Sequence, residues 1–354
     1  MIKAHEIDIS QKDQLDQFYQ IGAEVRARNN DFELPWSENK DILDFIESNE
    51  LDFKLLVARD GSQAGRIMAY RFKDSQEKGL MGWYECDHHD ELSCELLSAC
   101  ETWLKGIDVK AIYGPMNGSP WSSFRFNTVA SKPLFVTEPY QPLYYVQQWE
   151  QFGFSHDTKY ESHLVPSEIS RPMKIFKVKA FSLIKGVRFS TWPKGLIKDE
   201  QKLKDMHAFF HECFQDNELY RPITFDKYKE ITLKLEKIID FENSYIMSDK
   251  KGKPVSVLIS YRDVYHEMYK NGQLKDKAHH AHTLYMKTIC TAKAWRGKHL
   301  SPVLVNFGLV EAIRNGYQEV VFGTMMTENK SAKVSKSYFE AETLRSYSFM
   351  KKEL

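Results

Sequence analysis

One order of elements occurs twice in this chain, and that repetition most limits the folds open to it. In the first copy, KLLVAR (54–59) alternates as a strand, Asp60 and Gly61 give a hairpin turn, and GRIMAYR (65–71) is the returning strand. LMGWYEC (80–86) is a third strand. Leu92, Leu96, Cys100, Trp103 and Leu104 then recur at helical spacing, Gly106 is placed to close that helix, and VKAIY (109–113) is the next strand. The second copy follows the same order. A strand from Ser244, the turn KKGK (250–253), the strands PVSVLISY (254–261) and TLYMKTICT (283–291), a helix through Val303, Phe307, Val310 and Arg314 ending at Gly316, and QEVVFG (318–323) succeed one another. Amphipathic helical stretches precede both copies, marked by Leu43, Phe45 and Ile46 and by Leu203, Met206, Phe210 and Phe214. Residue identity between the copies is slight, so the repeat is one of structure.

The expected fold class is α/β (α+β), with two tandem domains that each carry a mixed, mostly antiparallel sheet flanked by helices. A length of 354 residues suits two such units. Polar and basic residues at 166–179 place the boundary near 175, giving domains 1–174 and 175–354.

Composition narrows the function classes. Lys plus Arg and Asp plus Glu both number 49, so no net field draws the whole chain to nucleic acid or to an anionic membrane. No run approaches the roughly 18 apolar residues that span a bilayer, and MIKAHEIDISQKD lacks the pattern of an export signal. A soluble cytoplasmic protein without nucleic-acid or membrane partners is expected. Cys86, Cys94, Cys100, Cys213 and Cys290 form no CxxC pair and read as reduced core residues. His279, His280 and His282 lack a matched Cys or acidic partner, so they read as a solvated loop and no metal is expected.

Arg296-Gly297-Lys298-His299-Leu300-Ser301 joins the strand 283–291 to its helix. With that turn and its strand, strand, strand, helix, strand order, the second copy resembles the GCN5-related N-acetyltransferase (GNAT) superfamily. Members carry an Arg/Gln-x-x-Gly-x-Gly/Ala turn there, and His299 and Ser301 stand where its two glycines belong. The first copy has Asp87-His88-His89-Asp90 at this junction, where two carboxylates oppose a pyrophosphate. Tyr113-Gly114-Pro115-Met116-Asn117-Gly118-Ser119, the stretch from Pro139-Tyr140 through Tyr144-Tyr145 to Gly153-Phe154, and Asn329-Lys330-Ser331 resemble bacterial tandem-GNAT proteins of about this length.

The resemblance implies two tandem GNAT-like domains, the first degenerate and the second holding acetyl-CoA or another acyl-CoA as co-substrate. The cofactor residues it implies are Ile289, Thr291, Arg296, Gly297, Lys298, His299, Leu300, Ser301 and Asn329. It implies acyl transfer to a small-molecule or peptide amine through a ternary complex, with Tyr338 as the acid for the departing thiolate and Tyr285 as a second candidate. Asn117, Ser119 and Tyr140 are the candidate acceptor contacts.

The chemistry is reasonable on its own terms. A helix N-terminus presents backbone N–H groups without helical partners and a partial positive charge, and Arg296 and Lys298 add cations. The missing glycines and Pro302 make the cradle tighter and poorer in donors. Two competing readings stand. Ser301 as a helix cap with Pro302 at the first helical position needs no ligand, which suits a binding protein that kept the fold and lost the chemistry. A Fem-like aminoacyl transferase also has tandem halves, although balanced charge counts against a tRNA donor. Along the strand 283–291, simple alternation puts Tyr285, Lys287 and Ile289 on one face and Leu284, Met286, Thr288 and Cys290 on the other.

Overall fold

The computed structural model describes residues 2–29, 41–129, 137–138, 141–165, 186–217, 219–263, 269–270, 273–274 and 282–354. The chain divides into two compact units, one of Met1–Lys132, Thr137–Tyr160 and Arg345–Leu354, the other of Pro133–Val136 and Glu161–Leu344. A single cut near residue 175 does not separate them, because residues 345–354 return to the first unit.

In the first unit, β1 (His5–Glu6), β2 (Leu51–Asp60), β3 (Gln63–Phe72) and β4 (Lys78–Cys86) run antiparallel in that order, and β5 (Ala111–Gly114) lies parallel to β4. The hairpin expected at Asp60 and Gly61 is present, with Asp60 opposite Gln63 and Gly61 at φ 58°. Helix α1 (Lys12–Arg28) was not legible as a period, yet it buries Leu15, Phe18, Ile21 and Val25. A shorter helix, α2 (Asp41–Glu47), follows it. Helix α3 (Asp90–Gly106) takes its cap from the His89 ring, which accepts from the Leu92 N–H. Its Leu92, Leu96, Cys100 and Leu104 pack on Leu56, Ile67, Ala69 and Met81, together with Tyr145 and Trp149 of α4 (Tyr144–Gln151). The C-terminal part of β15 (Glu342–Glu353) completes this sheet, pairing Met350 with Gly114 and Tyr347 with Asn127 of β6 (Phe126–Asn127).

The second unit repeats the plan. β8 (Arg188–Thr191), β9 (Tyr245–Ser248), β10 (Pro254–Arg262) and β13 (Thr283–Thr291) are antiparallel neighbours, and β14 (Glu319–Met326) runs parallel to β13. A two-stranded ladder, β11 (Tyr269–Lys270) with β12 (Gln273–Leu274), stands apart from it. Helices α5 (Glu200–Phe214), α6 (Phe225–Leu235), α7 (Leu300–Arg314) and α8 (Lys330–Phe339) complete the unit, and β7 (Ser155–Val165) enters it at Glu161. Leu258, Leu284, Met286, Leu300, Leu304, Leu309 and Phe322 form its core with Phe339 of α8.

The alternation expected along β13 fails halfway. Ile259 faces Thr288 while Ser260 faces Met286, so Lys287 is the extra residue of a β-bulge. One extra residue reverses the side-chain order beyond it. Ile289 accordingly joins the core with Leu284 and Met286, and Cys290 turns to the other face beside Cys213 of α5.

His163, on β7, is wholly buried and joins β7 to α8. Its Nε2 lies 2.9 Å from Glu161 and its Nδ1 2.9 Å from the Ser335 hydroxyl. A carboxylate only accepts, so Nε2 carries the hydrogen and Ser335 donates to Nδ1. Burial holds the ring's pKa below the ordinary histidine value. The unfolded chain therefore binds more protons, and stability falls as pH drops through the ordinary histidine range. Acidification from about pH 7.5 to about 5.5 is expected to lower the denaturation midpoint less in His163→Asn than in the unsubstituted chain. Equal losses in both proteins would remove His163 as the cause. Among the described residues no helix is long and apolar enough to cross a membrane.

Candidate functional site

In the second unit, β13 and β14 are paired from Thr283 with Glu319 to Met286 with Phe322. Among the described residues, no backbone hydrogen bond joins these strands farther on. A Cβ at Gly323 would lie 2.7 Å from the Lys287 Cα, so the two backbones are close there. Beyond it the pairing is not resumed among the described residues. The Ala292 N–H donates to the Val255 carbonyl at 2.9 Å, which fixes the even positions toward β10. Ile289 and Thr291 then direct their backbone groups to the side of β14.

From Thr291 the chain passes through a 3-10 turn at Lys293–Trp295 and enters α7 through Gly297 at φ 81° and His299 at φ 60°. Both are left-handed, so the position that resemblance assigns to a glycine has a glycine's conformation although a histidine fills it. The helix cap is His299, whose side chain makes no capping bond, and not Ser301. Ser301 lies in the first turn and is otherwise engaged. Ser256 donates to the Cys290 carbonyl at 3.0 Å, so Thr291 must donate to Ser256 at 2.8 Å and Ser301 to Thr291 at 2.6 Å. This hydroxyl chain ties the start of α7 to the end of β13. No hydrogen bond among the described residues occupies the backbone N–H groups of Gly297, Lys298, His299, Leu300 or Ser301, and Pro302 has none.

Arg296 is more committed than the sequence suggests. Its guanidinium donates to the Thr291 carbonyl at 3.3 Å and the Cys213 carbonyl at 3.1 Å, and it pairs with Asp216 at 3.4 Å. It therefore braces α5 against the end of β13. Lys298 is exposed, its ammonium 4.2 Å from the Trp295 ring centroid. The Leu300 side chain is buried and can offer only its backbone. Asn329 caps α8 by position, without a side-chain bond.

Tyr285 is fully buried, with its hydroxyl 3.3 Å from Thr324 and 3.4 Å from the Lys287 ammonium. Tyr338 lies on α8, with its side chain outside the described residues. Burial pushes the Cys290 thiol well above its ordinary pKa, which suits a core residue and not a nucleophile. Tyr140, His279 and His280 lie outside the described residues. Sequence reading did not place Thr324 and Lys287 beside the Tyr285 hydroxyl, because contacts that depend on strand register leave no composition signal.

The first unit closes the corresponding places. Beyond the last parallel pair, Leu80 with Tyr113, its own chain stays against β4: Met116 N–H donates to Met81 at 2.8 Å, and the Asn117 side chain accepts from Trp83 N–H at 2.6 Å. Ser119 is buried and accepts from Trp121 N–H at 3.3 Å. Both candidate acceptor contacts in this segment are thus engaged inside the first unit. At the start of α3, Asp87 is buried, accepts from Ala64 N–H at 2.7 Å and pairs with Arg28 at 2.6 Å, while Tyr145 and Gln148 bond the backbone of Cys86 and Asp87. Charge divides the same way. The first unit carries 19 Lys and Arg against 27 Asp and Glu, the second 30 against 22, so the neutral total conceals an acidic and a basic half.

No protein-family model and no curated protein matches this chain. Solved structures do. A tandem GNAT protein from the clavulanic acid biosynthesis pathway aligns over 100% of this chain and 98% of its own, at 9% identity and a TM-score of 0.50. An Enterococcus faecalis V583 protein of unknown function, called a probable N-acyltransferase, aligns over 100% and 73%, at 9% identity and a TM-score of 0.56. The glucosamine N-acetyltransferase region of a fungal multi-domain β-N-acetylglucosaminidase aligns over 99% of this chain and 38% of its own, at 14% identity and a TM-score of 0.51. Two units of one topology, both with a bulge in the strand before the helix and a parallel strand after it, agree with these alignments. The chain therefore has the fold of the GCN5-related N-acetyltransferases, in two tandem copies.

Proposed function

We propose that the second unit binds an acyl-CoA, acetyl-CoA in the simplest case, and transfers its acyl group to an amine through a ternary complex. One observation carries this reading: in the second unit a strand pair whose pairing ends at Met286 and Phe322 stands beside a helix start whose N–H groups have no partner among the described residues, whereas in the first unit its own chain stays against β4. The pyrophosphate would lie at Gly297 to Ser301, and the pantetheine amides would pair with Ile289 and Thr291. The positive formal charge of this unit favours a polyanionic donor. Asn329 at the start of α8 is a further contact in this reading. The acceptor is a small-molecule or peptide amine, and the reaction belongs in the cytoplasm, where acyl-CoA is at hand.

Calorimetry with acetyl-CoA on the full chain tests it. Lys298→Glu sets a carboxylate beside the phosphate place without disturbing a buried contact, and should weaken binding by about tenfold or more. His299→Gly relieves a left-handed histidine and reopens backbone approach, so affinity should hold or rise. Binding that neither substitution changes would show that the turn only starts a helix.

A further inference from the structure

In the first unit, Arg125 sits where the chain changes partners. Phe124 forms a β-bridge with Met116, while β6 just beyond pairs with β15, and the backbone turns between them at Arg125 with φ 70° and a 3.0 Å bond from its N–H to the Pro115 carbonyl. A left-handed backbone favours glycine, so an arginine here carries strain that its side chain has to offset. Its guanidinium carbon lies over three rings, 4.3 Å from the centroid of Phe124, 5.0 Å from that of Tyr160 and 5.3 Å from that of Tyr347. Rings attract the charge but leave the N–H donors without conventional acceptors. Arg26, Arg28, Arg59, Arg66, Arg71 and Arg345, the other arginines of this unit, each pair with a carboxylate. Among the described residues the Arg125 guanidinium has neither an ion pair nor a hydrogen bond, although its unit is the acidic one, and its half-buried nitrogens reach water.

Tyr160 is a second unused donor. It is 8% exposed, yet its hydroxyl has no hydrogen-bond partner among the described residues and also reaches water. Burial raises its pKa, Arg125 opposes that rise and exposed Asp157 adds to it, so the phenol keeps its hydrogen at neutral pH. We propose that Arg125 and the Tyr160 hydroxyl form a binding site on the first unit for an oxyanion, the carboxylate or phosphate group of a small molecule. The planar fork of a guanidinium meets either group with two parallel hydrogen bonds, and the three rings hold it in place before the ligand arrives, which lowers the cost of ordering it. This site does not depend on the acyl-CoA reading of the second unit.

The test follows the Arg125 Nε–Hε resonance of the full chain by nuclear magnetic resonance, assigned from its loss in Arg125→Lys, as inorganic phosphate or acetate replaces chloride at constant ionic strength. The resonance should move along a saturating curve with a midpoint on the order of 10 mM or below. Saturation by acetate alone identifies a carboxylate ligand, by phosphate alone a phosphate, and by both a site that reads only the shared oxyanion. Tyr160→Phe keeps the ring and removes the hydroxyl, so it should raise the midpoint by about tenfold. Its thermal denaturation midpoint should stay within about 2 °C of the unsubstituted chain, which a merely structural hydroxyl would not allow. A resonance that drifts without saturating in both anions overturns the site and leaves Arg125 a packing cation. A Tyr160→Phe curve that coincides with that of the unsubstituted chain overturns the pairing of the two residues.

Discussion

Gly82→Ala is expected to destabilise the first unit by about 3 kcal/mol or more, because the added Cβ forces backbone to move. A Cβ at Gly82 would sit 1.8 Å from the Met116 carbonyl oxygen and 2.5 Å from its carbon. Relief requires shifting a segment held by the Met116 bond to Met81, the Asn117 bond to Trp83 and a 3.1 Å bond from the Tyr70 hydroxyl to Met116. Gly106→Ala is the control, because nothing lies within 4 Å of its Cβ, and it should change stability by less than about 1 kcal/mol. Urea denaturation of both proteins decides the matter. If Gly82→Ala costs no more than the control, the segment yields easily.

Arg345→Met should cost about 3–5 kcal/mol, the range found when a buried ion pair loses one member. Arg345 and Glu138 are 2% and 1% exposed and 2.7 Å apart, and the Tyr347 hydroxyl donates to the same carboxylate at 2.5 Å. Methionine fills much of the volume but takes the cation away from a buried carboxylate. The double variant Arg345→Met with Glu138→Leu should recover most of the loss, since it removes the charge as well as its partner. A single variant as stable as the parent chain would mean that water reaches Glu138.

What the sequence made legible was what local chemistry decides. The Asp60 and Gly61 turn, the Leu92 to Leu104 stripe and Gly316 after α7 act within a few residues and were found, whereas Gly106 is the last helical residue of α3 and the left-handed residue beyond that helix is Asp108. Arg296 could not be read correctly, because its partners on α5 and at Thr291 meet only once the sheet forms. The bulge at Lys287 is a matter of register between strands and reverses a face that simple alternation assigns. Asn117, a candidate acceptor contact in the sequence, is used by the fold to occupy a backbone donor of its own unit.

The return of residues 345–354 to the first unit also has a consequence for biosynthesis. On a ribosome, every segment of the second unit is made before the strand that pairs with Ala111 to Gly114 emerges. Until then β5 offers a bare edge of N–H and C=O groups, and closing the sheet needs contacts separated by more than 200 residues in sequence. The half that begins synthesis is therefore the half that finishes folding last, and its nascent edge is the place where a chaperone, or a wrong strand, would bind.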